Sequence, residues 1–109
     1  MTDNTPNLPV PGDPPNPVKQ PYITDPPEGA KKPRTVLVNG GGEPYHNVRM
    51  VTPGTEDILS KKEGTMGKDG TFTLELREDI PKGRFCFQVI LWKKNGVLGR
   101  TPTRCIEIV

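Results

Sequence analysis

At 109 residues, with 14 prolines, 12 glycines and 31% hydrophobic residues, the chain has room for one domain and a small core. Its formal net charge of +2 comes from 15 Lys and Arg against 13 Asp and Glu, without the clustered positive charge and interleaved aromatics of a nucleic-acid groove. No stretch approaches the roughly 20 apolar residues that cross a bilayer, and Met1 to Pro6 has neither a basic nor an apolar region of a secretory leader, so neither membrane insertion nor export is expected.

The prolines divide the chain. Ten of the fourteen lie in residues 1–33, which carry a net charge of −1, while residues 34–109 carry +3 and nearly all the core-forming material. Runs such as Pro14-Pro15-Asn16-Pro17 and Asp25-Pro26-Pro27 cannot propagate a helix or serve as a central strand. Polyproline II and extended coil are expected there, so residues 1–33 read as an extended arm. Leu8, Val10, Val18, Tyr22 and Ile23 are spaced along it with nothing local to bury them. They are candidate anchors on a partner, since proline reduces the entropy lost when such a segment is immobilised.

Residues 34–109 show repeated period-2 alternation between turn residues, and no sustained helical period. Strands are expected at 35–38, stopped by Asn39-Gly40-Gly41-Gly42, and at 46–51, ended by Thr52-Pro53-Gly54. Gly67-Lys68-Asp69-Gly70 turns into 71–77, with Phe72, Leu74 and Leu76 on one face. Ile80-Pro81-Lys82-Gly83 turns into 84–92, with Phe85, Phe87, Val89 and Leu91 inward. Asn95-Gly96 signals a two-residue hairpin back through Val97-Leu98, and 103–109 closes the domain. Six to eight mostly antiparallel strands with Gly and Pro turns predict an all-β fold, a single small antiparallel β-sandwich behind the proline-rich arm. Its expected core is Phe72, Leu74, Phe85, Phe87, Val89 and Ile106.

A tight Asn95-Gly96 turn pairs Lys94 with Val97, Trp92 with Gly99, Val89 with Pro102, Phe85 with Ile106 and Cys86 with Cys105. The two cysteines are therefore expected as a cross-strand pair at a hydrogen-bonded position. With no export signal, they are expected to be reduced thiols. Two cysteines and the single His46 give no ligand pairs at metal spacing, so no metal or other cofactor is expected.

Gly42-Glu43-Pro44 with Asn47-Val48, then Asp69-Gly70-Thr71-Phe72-Thr73-Leu74, then Pro81-Lys82-Gly83-Arg84-Phe85 through Val89 resemble transthyretin-like β-sandwich modules of the carboxypeptidase-regulatory or CnaB type. The similarity spans about residues 35–92, and the closing strands resemble immunoglobulin-like domains equally well. It implies architecture and carries little about function. The Lys–Asn isopeptide bond of many CnaB modules is not carried over, because the strand-borne lysine and the asparagine of the last strand are missing. The whole-chain layout, a small sandwich with an extended segment, resembles bacteriophage head-decoration proteins.

Catalytic machinery is not expected. His46 stands beside a turn, Glu75, Glu78, Asp79 and Glu107 fall on outward faces or in turns, and the glycine run lacks the Lys-Ser/Thr and helix of a phosphate loop. The layout resemblance implies a virion structural protein, a decoration or cement protein assembled in the host cytoplasm. Its partners would be many copies of a capsid subunit, with no nucleic acid, membrane or small-molecule substrate. The alternative is a surface or periplasmic Ig-like adhesion or carbohydrate-binding module.

Overall fold

The protein is described by a computed structural model over residues 18–109. Among these residues there are nine β-strands and no helix: β1 (Tyr22–Asp25), β2 (Lys31–Lys32), β3 (Leu37–Gly41), β4 (Asn47–Val51), β5 (Gly64–Thr65), β6 (Thr71–Glu75), β7 (Gly83–Lys93), β8 (Gly96–Arg100) and β9 (Arg104–Ile108). Seven of them lie in residues 34–109, within the range that the alternation predicts. A three-stranded sheet has the order β1-β3-β6, and a larger one runs β2-β9-β7-β4-β5, with β8 also paired to β7. Pairing is antiparallel except between β2 and β9.

The core lies between the sheets. Val38, Phe72 and Leu74 come from the small sheet, and Val48, Met50, Phe87, Val89, Leu91, Ile106 and Ile108 from the large one. Each is a position that alternation points inward, and full burial of such a side chain contributes about 1.5–3 kcal/mol. Of the six expected core residues, Phe85 alone is only half-buried; it stacks on Phe87 at 5.9 Å at the rim.

Three local expectations need correction. The glycine run does not stop the first strand; Asn39, Gly40 and Gly41 are inside β3. A methyl group on Gly40 would run into the Tyr22 carbonyl oxygen, and one on Gly41 into the Tyr22 hydroxyl. The glycines therefore admit β1 and lay the tyrosine ring on the sheet. At the hairpin, Lys94 and Asn95 form the turn without positive φ, and Gly96 takes φ +145. Lys93 pairs with Gly96 and Trp92 with Val97, two residues off the expected register. A shift between Leu91 and Trp92 recovers one residue, and the pairing of 85–87 with 104–106 is as expected.

The other residue of register is absorbed at Thr101, which splices β8 to β9 along one edge of the long β7. Its N–H donates to the Val89 carbonyl and its hydroxyl accepts from the Val89 N–H, both at 3.0 Å. Thr101, not Pro102, thus faces Val89. The hydroxyl replaces the carbonyl that a continuous strand would supply, so no buried N–H of Val89 is left unmet.

The expected boundary at residue 34 also moves. Residues 22–32, assigned by their prolines to the arm, cross from the small sheet at β1 to the large sheet at β2 and lace one open side of the sandwich. Gly29 donates to Cys105, Glu107 to Ala30 and Val109 to Lys32, at 2.7, 2.8 and 2.8 Å. Arg104, at the rim opposite Phe87, donates to the carbonyls of Pro26 at 2.7 Å and Ile23 at 3.3 Å. Prolines are tolerated because this backbone bonds intermittently rather than as a full ladder. The Asp25-Pro26 peptide is cis.

Candidate binding surfaces

Of the candidate anchors, Leu8 and Val10 lie outside the described residues. Val18 and Ile23 pack on this domain's own core, so the expectation that nothing local buries them is overturned. Tyr22 lies over Gly41 with the Lys19 ammonium 5.7 Å from its ring, and it is 42% exposed. The structure therefore brings Val18, Tyr22 and Ile23 together along the edge of the small sheet, as parts of the sandwich. Alternation could not reveal this, because the partners of β1 are glycines.

The cysteines are cross-strand neighbours, Cys86 opposite Cys105, as the register predicts. Their redox state is not as expected: they form a disulfide, with Cα atoms 4.0 Å apart. The expectation of thiols rested on compartment, not geometry. The close approach of two facing strands at this pair lets the sulfurs meet. The bond is on the outer face of the large sheet, with the Arg84 guanidinium 3.6 Å from the Cys105 sulfur. Cys105 also secures the lacing segment: its N–H donates to the Glu28 carboxylate at 3.0 Å.

The same outer face carries Arg49, Trp92, Gln88 and Arg100. The Arg49 guanidinium stacks on the Trp92 indole, 3.8 Å from the ring centroid, and donates to Glu63 at 3.0 Å. Arg100 holds Glu56 in a two-point ion pair at 2.8 and 3.1 Å and also donates to Gln88. Glu56 sits at φ +65, a conformation that side chains other than glycine adopt at a cost, and the ion pair helps hold it there. The hydrogen bonds from Arg100 lower the Glu56 pKa and raise that of Arg100.

At one end of the sandwich, Tyr45 is 71% exposed, the most of any large hydrophobic residue among those described. It too has positive φ, at +67. Its N–H donates to the Met66 carbonyl at 3.1 Å, and His46 Nδ1 is 3.0 Å from the Pro44 carbonyl oxygen. Tyr45, His46, Asn47, Trp92 and Lys93 line a shallow cleft. Sequence reasoning missed this cleft, because Tyr45 stands in a turn and has no place in an alternating pattern.

The remaining perturbed groups are surface pairs. Hydrogen bonds from Thr71 lower the pKa of Asp69, those from Arg77 lower that of Asp79, and Glu78 and Glu75 raise that of Lys61. Lys61 and Glu75 line a shallow cleft with Leu37, Lys62, Thr73 and Leu74. Among the described residues no group of three or more His, Cys, Asp or Glu is placed to hold a metal.

Fold and surface together define a small all-β sandwich. Compared with known proteins, the chain matches no protein-family model and no curated protein.

Proposed function

We propose that this protein is a non-enzymatic binding module of a virion shell, a decoration or cement protein whose leading segment attaches it to capsid subunits. One observation carries the reading: the composition of residues 1–17. Leu8, Val10 and six prolines stand together in a stretch of seventeen residues with no lysine or arginine. Such a stretch engages a partner through a few buried side chains, and repetition over many copies stabilises a shell by mass action. The transthyretin-like affinity belongs to this reading: Asp69-Gly70 opens β6 with Phe72 and Leu74 inward, and Pro81-Lys82-Gly83 opens β7.

The test is deletion of residues 1–17, which leaves every described strand in place, followed by incubation with undecorated particles. Loss of binding and of the particles' heat resistance supports the reading. Full-affinity binding by the shortened chain would mean that those residues are only a linker.

The Cys86–Cys105 disulfide favours a second reading, a surface or periplasmic adhesion or carbohydrate-binding module, because such bonds persist in oxidising compartments. Saturable binding to a glycan array, abolished by Tyr45→Ala or Trp92→Ala, would move the assignment there.

A further inference from the structure

We propose that the Cys86–Cys105 disulfide is a thiol-exchange latch: a dithiol opens it in the folded protein and thereby loosens the lacing segment from β9. The role given to residues 1–17 does not enter the argument. Everything that ties the lacing to the large sheet ends on residues 104–109. Arg104 reaches Ile23 and Pro26, Cys105 meets Glu28 and Gly29, Glu107 donates to Ala30, and Val109 donates to Lys32. Cys105 is the joint between two kinds of fastening. Its N–H and carbonyl both face the lacing, at 3.0 and 2.7 Å, while its side chain is bolted to β7 through Cys86. Opening that bond leaves β9 held by hydrogen bonds alone on both of its edges, with the lacing on the outer one.

The bond is also within reach. Both cysteines are half-buried, and Cys105 lines an open cleft of about 380 Å³ with Glu28, Gly29, Arg84, Ile106 and Glu107. Accessible disulfides beside positive charge are the labile ones, because the attacking species is a thiolate. The Arg84 guanidinium stands 3.6 Å from the Cys105 sulfur and draws the anion in. The Glu28 and Glu107 carboxylates oppose it, and Glu28 is turned to the Cys105 N–H. A thiolate entering the cleft attacks Cys105 Sγ. A sulfur–sulfur bond forms there as the Cys86–Cys105 bond breaks, and Cys86 leaves with the electron pair and takes up a proton. The second thiolate of the dithiol then attacks the first sulfur, closing a cyclic disulfide and expelling Cys105, which is protonated in turn. The dithiol is oxidised, the cysteines are reduced, and two protons pass from one to the other.

The test is hydrogen exchange of the intact protein with and without dithiothreitol, in the absence of denaturant, with the free thiols counted alongside. Reduction should raise exchange in residues 28–32 and in β9 by about tenfold more than in β4 and β6, since a local opening exposes one unit and leaves the rest protected. A purely structural bond would raise exchange evenly across the strands, and that result overturns the proposal. So does a bond that dithiothreitol opens only once urea has unfolded the protein. Arg84→Ala should slow reduction by about threefold to fivefold at low ionic strength, the effect of one exposed opposite charge at this distance, and salt should shrink the difference. Arg84→Lys, which keeps the charge, should react at nearly the parent rate. Equal rates in all three proteins, each folded by circular dichroism, would remove the cleft as the route of attack and overturn the proposal. The exchange comparison uses the unaltered protein, so it decides even if the Arg84 variants fail to fold.

Discussion

The two sides that close the sandwich are built on opposite plans. On one, residues 22–32 arrive from the proline-rich part of the sequence and join β1 on the small sheet to β2 on the large sheet. β1 pairs with β3, 14 to 19 residues on, but the partners that tie this segment to the large sheet, Arg104 and Cys105, lie 76 to 81 residues away. On the other side, residues 58–65 bridge Ile58 to Val51 and Ser60 to Leu76, pair β5 with β4, and use partners 7 to 19 residues away. The first side is held by backbone that fits only because side chains are missing, and by one buried-edge arginine. The second is held by backbone bonds of Leu59, Lys61 and Arg77 to Met50, Glu75 and Leu59, with exposed ion pairs, Lys61 with Glu75 and Glu78 and Arg77 with Asp79, laid over them. Solvent screens exposed pairs, so they contribute little. A closure made by distant residues should therefore be brittle, and one made by near neighbours should be forgiving.

The sharpest way to break that contrast is Gly40→Ala. The added methyl meets backbone, the Tyr22 carbonyl, which cannot swing aside as a side chain can. A loss of about 3 kcal/mol or more in urea unfolding is expected, with early hydrogen exchange in β1. A loss below about 0.5 kcal/mol would mean that β1 does not lie on Gly40. Replacing both cysteines, Cys86→Ser/Cys105→Ser, should cost about 3 kcal/mol, because the bond closes a loop of 19 residues' separation and anchors the strand that receives the lacing segment. An unchanged urea midpoint in the presence and absence of reductant would count against the bond. Arg104→Ala should cost about 2 kcal/mol, by leaving the Pro26 and Ile23 carbonyls without their donor. Its exchange signature should be confined to residues 22–32.

The smallest effect belongs to the other side's approach loop. Because Arg100 depresses the pKa of Glu56 in the folded state, the pair's contribution is present above the ordinary glutamate pKa of about 4.3 and fades as pH falls through the lower folded value. Asp69 and Asp79, also depressed, add to the same acid loss. Glu56→Gln should thus lower the urea midpoint slightly at neutral pH and narrow the difference between neutral and acid pH. An identical pH profile in the variant would show that the pair contributes nothing.

Much of the large sheet was legible, because Phe85, Phe87, Val89 and Leu91 alternate without interruption and Ile106 faces them in the expected register. The lacing segment was not. Its residues satisfy their backbone through scattered bonds to β9, and Ile23 is buried by a neighbour that the glycine run admits, so neither period nor propensity marks it. The hairpin was half legible: Asn95-Gly96 marks the reversal, but extra residues on the β8 side, taken up at Leu91–Trp92 and at Thr101, leave no trace in a pairing sum. Of the candidate anchors, Val18, Tyr22 and Ile23 were misread for the same reason as the domain boundary. The Tyr45 end was invisible because its value lies in a turn conformation, not in a pattern.

The position of β1 has a mechanical consequence. If residues 1–17 are a tether, any pull on it enters the domain at Val18 and passes into the β1–β3 ladder. A force directed along β1 loads those hydrogen bonds together, in shear, instead of opening them one after another. The Arg104 bonds to Ile23 and Pro26 act as a second catch just downstream. The domain would then resist being dragged by its own leash far better than its modest size suggests, and the first element to yield would be the strand the glycines admit.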